Sequence, residues 1–423
     1  MRALRSSTAS AATSMSRRAF SSTMDTTMLT ESQREVRDGV AEVCKNFPNS
    51  YWRERDQTKT YPFDFHKAIA DGGWLGVSLP EENGGSGLGV SEASIMMQTI
   101  TESGAGFPGA QCTHANIYAT QPLAVFGSAE QRAQLIPKII SGEYRSCFGV
   151  TEPNAGLNTL ELTTTATRLE NGDWGQKIWI TNAQNAHIMF LLARTTPVDQ
   201  VKKKSEGLTM FAIPVDKSKN GIAIKAIKKM GGGCVDSNEV WFDDYVVPGD
   251  CVIGGEEGIG KGFRIILHGM NSERCLVAAE ALGIGYAALQ KAADYAGDRE
   301  VFGRKIGQNQ GIAHPLADAW AQLHAASLAT YHAARLYDNA LVDKTISPIT
   351  VGTAANTAKM LAAEAGFNAA QRAILTHGGM GFAAEFDVER MLRESFVPRI
   401  APISGEMIRN YISERVLNLP KSY

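Results

Sequence analysis

The sequence predicts an α+β chain of three units: an N-terminal all-α domain, a middle β-barrel domain and a C-terminal four-helix bundle. Three observations carry this. Apolar residues recur at helical spacing from about residue 31 to about residue 140. Short β-rich runs replace them after residue 147. From about residue 258 the chain turns Ala-rich and helical again. Strands do not alternate with helices, so a single doubly wound sheet is excluded. The units span 28–146, 147–256 and 257–423, behind a leader of residues 1–20.

Each element has its own reason. Thr30-Glu31-Ser32-Gln33 has capping-box spacing, and Val36, Val40, Val43 and Phe47 follow at helical steps, so a helix starts near residue 31. Leu79-Pro80-Glu81-Glu82-Asn83-Gly84-Gly85-Ser86-Gly87 reads as a long loop. In the middle unit, strands are expected at Lys177–Thr181, Ile188–Leu192, Leu208–Ile213, Ile222–Ile227 and Val240–Phe242. Asn171-Gly172 is a hairpin signal. This spacing suits a compact barrel or sandwich. Helical patterns over 262–297, 311–342, 350–376 and 403–417, with short connections, suit an antiparallel bundle. Gly283-Ile284-Gly285-Tyr286-Ala287-Ala288 matches a dinucleotide fingerprint, but no strand precedes it. Small residues for close helix packing are the better reading.

Composition narrows the function. The 423 residues carry 42 basic and 44 acidic side chains, net -2, so there is no basic footprint for nucleic acid. No run reaches the ~18 apolar residues of a transmembrane segment. Cys44, Cys112, Cys147, Cys234, Cys251 and Cys275 include no Cys-x-x-Cys pair, and the eight histidines form no metal-ligand spacing. Buried free thiols and no metal are expected. Met1–Phe20 holds Arg2, Arg5, Arg17 and Arg18, no acidic residue, and much Ser, Thr and Ala. That is the composition of a mitochondrial transit peptide. Arg18-Ala19-Phe20 before Ser21 resembles a matrix-processing site, so the mitochondrial matrix is the expected location. Lys421-Ser422-Tyr423 is not a peroxisomal address.

Four motifs follow in order. Val150-Thr151-Glu152-Pro153-Asn154-Ala155-Gly156 stands where the helical part meets the β part. Next come Gln176-Lys177-Ile178-Trp179-Ile180-Thr181-Asn182-Ala183, then Arg299-Glu300-Val301-Phe302-Gly303 with Ile306-Gly307-Gln308-Asn309-Gln310, then Thr376-His377-Gly378-Gly379-Met380-Gly381-Phe382. On this plan they resemble the flavin-dependent acyl-CoA dehydrogenase family over about residues 30–423. The resemblance implies a homotetramer that binds FAD and oxidises an acyl-CoA to the trans-2-enoyl-CoA, passing electrons to electron-transfer flavoprotein. It places Val150, Thr151, Gly156, Trp179, Thr181, Ser404 and Glu406 at the flavin. It sends Arg299, Phe302 and Gln310 to the FAD of a neighbouring subunit and sets Gly378 and Gly379 against the adenosine half. The residue types fit. An indole packs against a flavin ring, strand alternation puts Trp179 and Thr181 on one face, and a guanidinium suits pyrophosphate.

The reaction needs a carboxylate of raised pKa near the substrate α-carbon. Many members carry this Glu in a loop before the last helix, where this chain has Ile400-Ala401-Pro402-Ile403-Ser404-Gly405-Glu406. Matching that loop places Pro402, which takes no proton, at the Glu position. A branch that includes isovaleryl-CoA dehydrogenase keeps its Glu on an earlier helix, and Asn271-Ser272-Glu273-Arg274 matches it. Glu273 is therefore the expected base, with Glu406 its rival. Arg274 positions substrate or orients Glu273, and Asn271 takes a pantetheine-contact position. Three departures stand out: Leu157 for a common Ser, Leu375 for a common Gln, and Pro402, which lacks the N–H that commonly polarises the thioester. Two other readings stay open: a flavin oxidase or monooxygenase of the same fold, and a non-catalytic assembly factor or subunit of a respiratory complex.

Overall fold

Thr30 opens the first helix through the reciprocal pair that its spacing predicts. The Gln33 amide donates to Thr30 Oγ1 at 3.2 Å, and the Thr30 amide donates to Gln33 Oε1 at 3.1 Å. The computed structural model describes residues 23–167 and 175–422. The expected leader and Asn171-Gly172 lie outside them.

The N-terminal part contains α1 (Glu31–Cys44), α2 (Asn49–Thr58), α3 (Phe63–Asp71), α4 (Val90–Ile100), α5 (Gly106–Tyr118), α6 (Gln121–Phe126) and α7 (Ala129–Ile140). Every residue of α4 except Glu92 is buried, so it is an interior helix rather than an amphipathic one. One π-helical turn, Thr101–Ala105, joins α4 to α5. Gly104 at φ 101° and Gly106 at φ 61° supply the left-handed backbone this joint needs.

The middle part is β1 (Ser146–Gly149), β2 (Gly175–Thr181), β3 (Ile188–Arg194), β4 (Leu208–Pro214), β5 (Ile222–Ala226) and β6 (Ser237–Phe242). They form two three-stranded sheets, ordered β1-β3-β4 and β2-β6-β5. β1 runs parallel to β3; the other pairs are antiparallel. Cys147, Ile180, Met189, Leu191, Phe211, Ile213, Val240 and Phe242 share one core from both sheets. β3 is buried along its whole length, hence its continuous apolar run.

The C-terminal part is dominated by α8 (Gly262–Asp298), α9 (Gln310–Val342) and α10 (Pro348–His377). A short hairpin, β7 (Glu300–Val301) with β8 (Arg304–Lys305), links α8 to α9. The apparent dinucleotide fingerprint lies inside α8. A Cβ on Gly283 would overlap Thr101 and the Gln98 carbonyl, and one on Gly285 would meet Leu323 and Gly366. These glycines let α4, α9 and α10 approach α8 closely. After α10 come α11 (Val388–Ser395), α12 (Val397–Ile400) and α13 (Gly405–Arg415). The pattern read over 403–417 is α13. The sequence reading missed α11 because its buried residues include Arg390 and Glu394, which hide the apolar period. Glu394 accepts the Phe107 amide at 2.9 Å, and Arg390 donates to the Gly104 carbonyl at 2.8 Å. The charges of α11 thus cap the π-helical joint.

Candidate active site

Asn271, Glu273 and Arg274 occupy one turn of α8, and Arg274 Nη1 donates to Asn271 Oδ1 at 2.7 Å. Glu273 is half-buried. Burial pushes its carboxyl up to about 7; Glu280 adds to the shift, and His114, Arg274 and Lys359 oppose it. Glu406 lies in the opposite situation. It is exposed in the first turn of α13, where its own backbone amide and then Ser404 hold it below the ordinary carboxylate range. Ser404 caps that helix, accepting the Met407 amide at 3.4 Å. The two candidate carboxylates are pushed apart, and Glu273 is the one tuned toward neutrality.

The loop between α12 and α13 is tied to the site by Lys359, which the sequence reading missed. Lys359 is buried on α10, and its Nζ donates to the Ile403 carbonyl at 2.6 Å. Burial, then Arg274, lowers its amine to about 8. A signal was present: Lys359 interrupts a face of small buried residues, Ala355, Ala358 and Ala362. A lysine there needs a partner.

Val150 and Thr151 follow β1, whose Phe148 packs against Tyr118 with ring centroids 5.2 Å apart. Tyr118 lies in the field of Glu273. The β1 end and the base are therefore neighbours. The Ile178 amide donates to the Thr151 carbonyl at 2.9 Å, which draws Trp179 and Thr181 to the same place. Beneath them, Lys177 Nζ meets Glu152 Oε1 at 2.9 Å and the Val150 carbonyl at 3.0 Å. Glu152 also accepts the Thr163 and Thr164 amides, each at 2.8 Å. Burial opposes its charge, but Lys177 and these threonines outweigh burial and hold Glu152 at about 2.

One expectation needs correcting. Trp179 and Thr181 do not share a face through regular alternation. β2 pairs Lys177 with Val240 and Ile180 with Asn238, so a bulge intervenes. Trp179 sits in the bulge at φ 61° and is 57% exposed. A tryptophan rarely adopts that region. Here it presents the indole as an open platform beside the half-buried Thr181.

The remaining residues form a second group. Arg299 is the C-cap residue of α8, and at about 1.5 Å per residue it lies about 39 Å from Glu273. Phe302, at φ 53°, is 100% exposed in the β7–β8 hairpin. Gln310, also exposed, starts α9. Gly378 and Gly379 end α10 beside His377, whose ring stacks on Tyr295 of α8 at 4.3 Å. Gly378 has φ 60°, and nothing lies within 4 Å of where a Cβ would stand on either glycine. Gly156 is equally open. Leu157 and Leu375 are exposed apolar side chains.

Each of the two surfaces suits one part of a flavin nucleotide. The exposed indole and Thr181 suit its ring, while the guanidinium and the open glycine backbone suit its phosphates and adenosine. All six cysteines are free and buried.

Three family models cover nearly the whole chain: the acyl-CoA dehydrogenase N-terminal domain over residues 30–143, the middle domain over 147–245 and the C-terminal domain over 260–417. The acyl-CoA dehydrogenase FadE12 of Mycobacterium tuberculosis (strain ATCC 25618 / H37Rv) is 32% identical over 94% of this chain and 100% of its own. The mitochondrial isovaleryl-CoA dehydrogenase of Arabidopsis thaliana is 29% identical over 95% of each. The structure of butyryl-CoA dehydrogenase from Megasphaera elsdenii superposes with a TM-score of 0.83 at 27% identity, over 93% of this chain and 100% of that one. This chain belongs to the FAD-dependent acyl-CoA dehydrogenase family of oxidoreductases.

Proposed function

We propose that this chain oxidises an acyl-CoA thioester to the trans-2-enoyl-CoA, with Glu273 removing the α-proton. The observation that carries this is the tuning of Glu273: a half-buried carboxylate raised to about 7, on the helix that Tyr118 and Phe148 connect to the end of β1. A base near neutrality is matched to a weakly acidic α-carbon. When bound, FAD accepts the β-hydrogen as hydride, so two electrons and two hydrogens leave the substrate. The protein holds the pieces. Trp179, Thr151, Val150, Gly156 and Thr181 flank the flavin ring, with Ser404 and Glu406 near it. Arg274 and Asn271 position the thioester end, and Lys359 fixes the Pro402–Ser404 loop. Pro402 has no N–H, so the Ile403 amide takes over the polarising role.

Arg299, Phe302, Gln310, Gly378 and Gly379 serve the FAD of another copy, because one nucleotide cannot span the ~39 Å that separates Arg299 from Glu273. A homotetramer satisfies this, and the exposed Trp320, Leu328 and Leu361 on α9 and α10 give it apolar surface. Electron-transfer flavoprotein is the proposed acceptor. The acid-free, Arg-bearing Met1–Phe20 supports residence in the mitochondrial matrix.

The test is an anaerobic absorbance titration of the FAD-loaded protein with a panel of acyl-CoAs. Bleaching of the flavin band by one chain type supports the reading. A protein that holds FAD and bleaches with none contradicts it.

A further inference from the structure

Between the expected leader and α1 lies Thr23–Thr30, a segment that the candidate site does not use. Chain ends are loose unless something ties them down. Here the ties are specific. Met24 is 6% exposed and Leu29 4%, and both join the main core with Val36, Val40, Leu323 and Tyr331. Trp320 of α9, stacked on His324 at 5.0 Å, donates from Nε1 to the Thr23 carbonyl at 2.9 Å. Asp25 turns the chain by accepting the Thr27 amide at 2.9 Å and its hydroxyl at 2.7 Å. Arg34 of α1 closes the other end, donating to the Leu29 carbonyl at 2.5 Å.

Under this segment lies a buried polar network. Gln98 of α4, 0% exposed, donates from Nε2 to Met24 Sδ at 2.8 Å and accepts the Tyr331 hydroxyl at 2.6 Å. Four residues on, in the π-helical turn, Glu102 takes both terminal nitrogens of Arg37, at 3.0 and 3.1 Å. Thr23–Thr30 is thus a strap across α1, α4 and α9, closed over the joint from which α5 starts.

We propose that leader removal ends in a single cut between Phe20 and Thr23, and that Thr23–Thr30 stays on the mature chain as the strap that seals this network. The cut is a hydrolysis by a matrix peptidase. Water adds across one peptide bond, leaving a carboxylate on the leader and a new amino group on the mature chain. The constraint is on the product. A chain that starts at Ser21, Ser22 or Thr23 keeps every contact above. One that starts at Met28 leaves a hole where Met24 was and takes the near acceptor from Gln98 Nε2. The proposal rests on residence in the mitochondrial matrix and deepens it by placing the mature N-terminus.

The experiment has two arms. In the first, the full chain with a C-terminal affinity tag is recovered from the mitochondria of expressing cells and its intact mass is measured. The mass should correspond to a start at Ser21, Ser22 or Thr23. A start at any other residue overturns the proposal, and a chain that keeps Met1 outside the mitochondria removes the matrix reading as well. In the second arm, melting temperatures are compared for purified 21–423, for 28–423, and for Met24→Ala and Met24→Leu in 21–423. The 28–423 chain and Met24→Ala should melt roughly 4–10 °C lower than 21–423. Met24→Leu, which keeps the volume, should stay within about 3 °C. If 28–423 does not fold, Met24→Ala decides. Unchanged melting in Met24→Ala overturns the strap and leaves the matrix reading standing.

Discussion

Lys359 of α10 donates from Nζ to the carbonyl of Ile403 at 2.6 Å, and this one bond fixes the loop that carries Pro402 against the helix beside the base. The loop faces the reacting thioester in the proposed mechanism, yet proline removes its usual donor. Losing a charged hydrogen bond costs about 1.5–3 kcal/mol. Lys359→Met should therefore lower kcat by roughly 10- to 100-fold with little change in KM or FAD content, and Lys359→Arg should recover part of it. Steady-state kinetics on both variants check this. A loss of melting temperature with kcat unchanged would show that Lys359 is only a structural residue.

The pH dependence follows from Glu273. As the base it must be ionised, so kcat/KM should rise with pH and level off above about 7. Stability runs the other way. A carboxyl whose folded pKa is raised favours the folded state while neutral, and that contribution fades as pH rises toward and through about 7. Glu273→Gln should therefore melt higher than the wild type at alkaline pH and about equally at acid pH. Melting curves at two pH values settle the sign.

Glu152 and Lys177 make the opposite case. Both are buried, and the pair holds Val150–Glu152 against β2. The folded pKa of Glu152 is depressed, so its stabilisation is present above the ordinary carboxylate range and is lost as pH falls toward about 2. Lys177→Met leaves a buried carboxylate without its cation and should cost about 3–5 kcal/mol in denaturant unfolding. Adding Glu152→Gln should recover much of that loss. An additive loss in the double variant would show that the two side chains do not act as a pair.

The separation of Arg299 from Glu273 predicts complementation between copies. Glu273→Gln chains lack the base but keep Arg299, and Arg299→Ala chains do the reverse. Co-refolded mixtures should form some sites with both residues intact and regain activity that neither variant has alone. Activity that never exceeds the sum of the two parents would place Arg299 outside the shared site.

Much of this was legible in the sequence because it rests on local rules. The capping box at Thr30 and the small residues at Gly283 and Gly285 encode contacts that need no knowledge of distant chain. Glu273 is the expected base because Asn271-Ser272-Glu273-Arg274 resembles the motif of one branch of the family. What the sequence hid depends on partners far apart. Lys359 and Ile403 meet only after the loop folds back. The left-handed bulge at Trp179 breaks the alternation that residue types suggest, because register is set by β6. Arg390 and Glu394 masked α11, since a buried charge looks solvated until its partners, the Gly104 carbonyl and the Phe107 amide, are seen.

The most direct test of the central claim is the rate of anaerobic flavin reduction in Glu273→Gln beside Glu406→Gln, both loaded with FAD and mixed with the acyl-CoA that bleaches the wild type. The account predicts that Glu273→Gln binds the ligand but reduces its flavin at least about 1,000-fold more slowly, toward the upper end of what general-base removal costs. It predicts that Glu406→Gln stays within about ten-fold of the wild type, as expected for a carboxylate that transfers no proton. Near-normal reduction in Glu273→Gln, with loss in Glu406→Gln instead, would contradict it and move the base to the first turn of α13.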